Sequence, residues 1–123
     1  MKKILIVDDE EKFTQLVKLN LERTGDYRVF IEHKGAHAIP TAKRLSPDLI
    51  FLDIIMPDAN GVEVMRHMKE DPFFAEIPIV FLSALSGVLE GRDPDYSIGD
   101  TPYLIKPVTK DQLLLCLDRE LPC

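Results

Sequence analysis

Short, unbroken apolar runs alternate along the chain with stretches in which apolar residues recur every three or four positions. Ile4-Leu5-Ile6-Val7, Leu49-Ile50-Phe51-Leu52 and Ile79-Val80-Phe81-Leu82 are continuous and partly β-branched. A strand with one wet face alternates apolar and polar residues, so an unbroken run predicts a strand covered on both faces, as in a parallel sheet. Arg28-Val29-Phe30-Ile31 and Tyr103-Leu104-Ile105 are weaker strand candidates. Between the strands, Phe13, Leu16, Val17 and Leu21 predict a helix stopped at Gly25. Ala36 to Leu45 predicts a second, ended by Ser46-Pro47. Its Pro40 is cheap only near the first turn, where backbone N–H groups have no helical partner. Val62, Met65 and Met68 mark a third, closed by Asp71-Pro72, and Leu113, Leu117 and Leu121 mark the last, over 109–121. Five strand–helix units predict an α/β fold, a doubly wound five-stranded parallel sheet with right-handed crossovers and helices on both faces.

One segment departs from this pattern. Leu85 to Gly99 contains Gly87, Gly91, Gly99 and Pro94. Each weakens a helix, Pro94 by roughly 3 kcal/mol if interior. The fourth helix, within 86–99, is therefore expected to be short, displaced or disordered.

Composition narrows the function classes. With 123 residues the chain is read as one domain spanning 1–123, with no room for an output domain. Fifteen Lys+Arg against 21 Asp+Glu give a net charge of −6, which argues against direct nucleic-acid binding. No run approaches the roughly eighteen apolar residues of a membrane span. The start, Met1-Lys2-Lys3 and four apolar residues cut off by Asp8, does not read as a secretory leader. Cys116 and Cys123 lack zinc-site spacing and would close only a small loop, so reduced thiols and a cytoplasmic location are expected. His33, His37 and His67 read as surface histidines.

The chemistry lies where strands end. Asp8 and Asp9 follow the first, Asp53 ends the third, Ser83 the fourth, and Lys106 follows the fifth. In doubly wound sheets ligands bind at the carboxyl ends of the strands. Three carboxylates gathered there repel one another and call for a cation. A hard divalent ion such as Mg²⁺ suits an all-oxygen donor set. Carboxylates, a hydroxyl and a lysine around Mg²⁺ suit phosphoryl transfer, in which a carboxylate can serve as nucleophile.

These residues carry a resemblance. Ile4-Leu5-Ile6-Val7-Asp8-Asp9-Glu10, Asp53-Ile54-Ile55-Met56-Pro57 with Gly61 eight positions after Asp53, Ser83-Ala84, and Tyr103-Leu104-Ile105-Lys106-Pro107 occur in this order. Together they resemble the receiver domain of two-component response regulators over essentially the whole chain. The resemblance implies a flavodoxin-like strand order 2-1-3-4-5, and Asp53 as acceptor of a phosphoryl group from a sensor histidine kinase or phosphotransfer protein. It implies Mg²⁺ held by Asp9, by Asp8 through water, by Asp53 and by the carbonyl of Ile55. Ser83 and Lys106 would bind the phosphoryl oxygens, Tyr103 would swing inward as the aromatic switch, and Lys106-Pro107 would be a cis peptide. Ile55 and Leu85 occupy positions that tune loss of the phosphoryl group, and two apolar side chains there imply slow self-dephosphorylation without independent enzymatic activity. The readout would be a downstream protein partner or output domain. Leu113-Leu114-Leu115-Cys116-Leu117 covers more circumference than one core face needs, which suggests a partner face or a homodimer.

Rival readings keep the fold and change the role. A pseudo-receiver scaffold would have the same residues and never be phosphorylated. The chain can equally be a receiver fragment of a larger regulator or hybrid kinase. A flavodoxin-like redox protein would want a hydroxyl- and glycine-rich loop after the first strand, and an aspartate-dependent phosphatase an Asp two residues after Asp53. Neither is present.

Overall fold

The computed structural model describes residues 1–84 and 101–121. Within them, five parallel strands form one sheet: β1 (Lys2–Val7), β2 (Tyr27–Glu32), β3 (Leu49–Asp53), β4 (Ile79–Ser83) and β5 (Tyr103–Ile105), in the order β2-β1-β3-β4-β5. Four α-helices are described: α1 (Glu11–Glu22), α2 (Ala38–Leu45), α3 (Gly61–Lys69) and α4 (Lys110–Glu120). The doubly wound parallel sheet expected from the apolar runs, and the flavodoxin-like strand order implied by the resemblance, are what form. The weak helix foreseen within 86–99 lies outside the described residues.

The continuous runs are apolar because successive side chains enter different layers. Ile4, Ile6, Leu49, Phe51, Val80 and Leu82 point to one face, where Val17 and Leu21 of α1 and Leu113, Cys116 and Leu117 of α4 cover them. Leu5, Val7, Ile50, Leu52, Ile79 and Phe81 point to the other, against Ala38 and Ala42 of α2 and Val62, Met65 and Met68 of α3. All twelve are at most 3% exposed, so neither face tolerates a polar side chain along the strands. Polar groups are confined to the strand ends.

Local details follow from chain chemistry. The second helical stretch begins as a 3₁₀ turn at Gly35–His37 before α2, and Pro40 sits in the first turn of α2. Ser46, which precedes Pro47, closes that helix with φ 50°. Proline disfavours a right-handed α conformation in the residue before it, so the helix stops there. Gly25 (φ 82°) makes the turn after α1, whose last helical residue is Glu22. Asn60 caps α3 by accepting from the amides of Val62 and Glu63, and Thr109 with Gln112 forms a capping box on α4. Of the histidines, His37 and His67 are exposed. His33 corrects the surface reading: it is half-buried, with Nε2 3.3 Å from the Thr14 hydroxyl.

Candidate functional site at the carboxyl edge of the sheet

Register brings the strand ends level. Val7 pairs with Leu52, Asp53 with Leu82, and Ser83 with Ile105, so Asp8, Asp53, Ser83 and Lys106 leave one edge together. Backbone hydrogen bonds extend the sheet past its named ends: Asp8 N–H to Glu32 O (3.0 Å), Ile54 N–H to Leu82 O (3.0 Å) and Lys106 N–H to Ser83 O (2.7 Å). Gly61 has a local cause. A Cβ there would lie 2.1 Å from the backbone oxygen of Asp53, and its N–H bonds Ile54 O at 2.7 Å. The first turn of α3 therefore rests directly on the end of β3, and only glycine fits.

The charged groups form one cluster. Asp8, Asp9 and Asp53 each present a carboxylate oxygen within 4.8 Å of the others; Asp8 and Asp53 are buried and Asp9 is exposed. Lys106 Nζ lies 2.7 Å from Asp8 Oδ2, 2.9 Å from Glu10 Oε1 and 3.9 Å from Asp53 Oδ2, with its side chain 8% exposed. The Phe13 ring covers the ammonium, 4.5 Å from centroid to Nζ. The Ile55 amide donates to Asp53 Oδ1 at 3.3 Å, and its own side chain is 52% exposed at the mouth of the site.

These contacts move Asp53 and Lys106 from their ordinary values. Burial, then the charge of Asp8, pushes the Asp53 carboxyl up to about 7; Lys106 and the Ile55 amide oppose this and do not overcome it. Burial pulls the Lys106 ammonium down, but its contacts with Asp8 and Glu10 outweigh this and leave its pKa raised. Asp8 Oδ2 is buried with Lys106 Nζ 2.7 Å away, and that contact does not use up its lone pairs. Three carboxylates with oxygens within 4.8 Å of one another, one of them carrying a buried oxygen with spare lone pairs, make an all-oxygen donor set that fits a hard divalent cation.

Two further expected participants belong to β4 and β5. Ser83 is 1% exposed at the end of β4. Tyr103 pairs with Phe81, two residues before Ser83, and is 42% exposed. Lys106-Pro107 is cis. Leu85 lies outside the described residues. Glu10 and Phe13 were missed as site residues: Glu10 reads as an ordinary helix start and Phe13 as part of an apolar helix face. Only the fold reveals a contact across 96 positions.

Comparison with known proteins decides the family. A model of the response regulator receiver domain matches residues 4–118. The chain belongs to the response regulator receiver family. This receiver is 34% identical over 112 residues to the transcriptional regulatory protein TrcR of Mycobacterium tuberculosis, covering 91% of this chain and 42% of that one. It is 35% identical over 114 residues to the DNA-binding dual master transcriptional regulator RpaA of Synechocystis, covering 93% and 46%. The receiver thus spans about half the length of the curated relatives it matches. Among solved structures, the BeF3-activated N-terminal receiver domain of Klebsiella pneumoniae RstA superposes with a TM-score of 0.81 at 27% identity, covering 98% of this chain and 99% of that one. Chemotaxis protein CheY4 of Vibrio cholerae gives 0.82 at 29%, with the same coverage. Among the described residues no helix is long and apolar enough to cross a membrane.

Proposed function

We propose that this receiver is a phosphorylation-dependent switch that takes a phosphoryl group onto Asp53 from a phosphohistidine donor, with Mg²⁺ bound at the acidic cluster. The observation that carries the reading is the unequal pairing of its two buried carboxylates: Asp8 is in contact with Lys106, whereas Asp53 is buried beyond hydrogen-bond distance of it. A structural ion pair would leave no carboxylate over.

An oxygen of Asp53 attacks phosphorus, the new O–P bond forms as the donor N–P bond breaks, and the departing imidazole takes up a proton. Asp9 and Asp53 would hold Mg²⁺ directly, with Asp8 through water and the Ile55 carbonyl completing the protein ligands. The ion supplies positive charge against the phosphoryl oxygens. Lys106 supplies a second positive charge, and the Ser83 hydroxyl donates to a phosphoryl oxygen once the group is in place. Drawing Ser83 toward Asp53 opens space that the Tyr103 ring, now outward, fills. The surface of β5 changes with it. Ile55 at the mouth of the site slows water attack and hence self-dephosphorylation.

Donors are a sensor histidine kinase or phosphotransfer protein, and the readout is a protein partner, a second copy or an output domain. The lengths and DNA-regulatory names of the relatives support an output domain. A 66% exposed Leu115 on α4 supports a partner face. Cys116 is a buried free thiol, in keeping with a cytoplasmic setting.

Acetyl phosphate and Mg²⁺, read by intact mass, test the reading. One phosphoryl group is expected on the wild type, lost with chelator and absent from Asp53→Asn, with slow decay once the donor is removed. No uptake by the wild type would make the chain a scaffold with receiver geometry, and rapid decay would remove the role given to Ile55.

A further inference from the structure

Lys106 is held more firmly on one side than its role as a phosphoryl partner requires. Its ammonium has three donors. Asp8 lies 2.7 Å away and already balances the charge, yet Glu10 adds a second carboxylate at 2.9 Å and the Phe13 ring a third contact. The acceptor Asp53 is left at 3.9 Å. All three holding groups belong to β1's end and the start of α1.

Glu10 differs from the clustered aspartates. Its side chain is 53% exposed, and it is not among the carboxylates that converge within 4.8 Å. Its backbone is fixed as the residue that enters α1: the amide donates to Asp8 Oδ1 at 2.9 Å and the carbonyl accepts from Thr14 N–H at 3.0 Å. A long side chain that could stay in water instead spans the mouth of the site to reach Lys106. Charge balance does not demand this, and neither does the helix cap, since Glu10 makes no side-chain capping bond.

We infer that Glu10 is a positioning residue that holds the Lys106 ammonium on the α1 side and competes for it with the group that arrives on Asp53; this rests on the function proposed above. A phosphoryl group brings nearly two negative charges and three acceptor oxygens. Lys106 turns toward it, and the Glu10 contact is stretched or given up. Glu10 thereby favours the unphosphorylated form, and removing it favours the phosphorylated one. A half-exposed pair of this kind shifts such an equilibrium by roughly two- to fivefold.

The test is a beryllofluoride titration in the presence of Mg²⁺, followed by amide resonances, on wild type, Glu10→Ala and Glu10→Gln. The half-saturating beryllofluoride concentration is expected to fall roughly two- to fivefold in Glu10→Ala. In Glu10→Gln it falls less, because a neutral amide oxygen can still accept from Lys106. Before any addition, the Lys106 ammonium resonance moves in Glu10→Ala, which a merely structural role for an exposed side chain would not cause. Thermal melting confirms that both variants fold. If the wild type binds beryllofluoride but Glu10→Ala binds it equally or more weakly, the Glu10 inference is overturned while the proposed function stands. If the wild type takes none, the proposed function itself fails and the inference with it.

Discussion

The two sides of the acidic cluster are built on opposite principles. On the α1 side, Asp8, Glu10 and the Phe13 ring surround one ammonium, and opposite charges meet in contact. On the α3 side, Asp53 is 4% exposed and has an amide at 3.3 Å and a lysine at 3.9 Å, too little to keep it ionised at its ordinary pKa. A fold optimised for stability alone would not bury a carboxylate in this way. The difference teaches that stabilising charge has been gathered around Lys106 on the α1 side, while the buried Asp53 carboxylate on the α3 side has been left under-paired.

Removing the lysine attacks this asymmetry most directly. Lys106→Met should destabilise the metal-free protein by about 3 kcal/mol, because two buried carboxylates then face each other without a cation. Denaturant melts with and without Mg²⁺ check this, with the loss expected to shrink when the ion is present. Next in size is the support of Asp53 on the α3 side. Gly61→Ala places a methyl 2.1 Å from the Asp53 carbonyl and should cost about 2 to 3 kcal/mol while shifting the Asp53 and Ile54 amide resonances.

A pH series sharpens the contrast. The Asp53 carboxyl stands at about 7 in the fold against 3.8 when unfolded. Below pH 4 both states carry the proton and its contribution to stability is fully present. As the pH rises the unfolded chain ionises first, so that contribution is lost up to about pH 7. The decline should be on the order of 2 kcal/mol in metal-free protein and be flattened by Asp53→Asn. A stability curve equally steep in Asp53→Asn would assign the slope to another group. The smallest effect is expected just outside the cluster. Asp58 accepts from the amides of Gly35 (3.2 Å) and Ala36 (3.0 Å), tying the loop after β2 to the loop after β3. Asp58→Ala should cost about 1 kcal/mol without altering the pH dependence assigned to Asp53.

The fold was legible because its strands are covered on both faces, and uninterrupted apolar runs are the direct record of that. The carboxyl-edge placement of Asp8, Asp9, Asp53, Ser83 and Lys106 was legible for the same reason, since each run stops where the side chain changes character. What could not be read was pairing across the edge. That Lys106 rests on Asp8 and Glu10 rather than Asp53 depends on distances of an ångström between residues some 50 to 100 positions apart, which strand register sets and periodicity does not encode. The 3₁₀ start of the second helical stretch escaped for a related reason, since Gly35 is packed against Met56 and Ala59 of another loop. The outward Tyr103 is likewise a matter of side-chain packing on a short strand, for which three residues carry too little pattern.

The most direct test locates the phosphoryl group itself. After treatment with acetyl phosphate and Mg²⁺, borohydride reduction converts an aspartyl phosphate to homoserine, and peptide mass spectrometry then finds the altered residue. Homoserine at position 53, and nowhere else, is the expected result. An unaltered Asp53, or the mark on Asp8 or Asp9 instead, would contradict the assignment of the under-paired carboxylate as the acceptor.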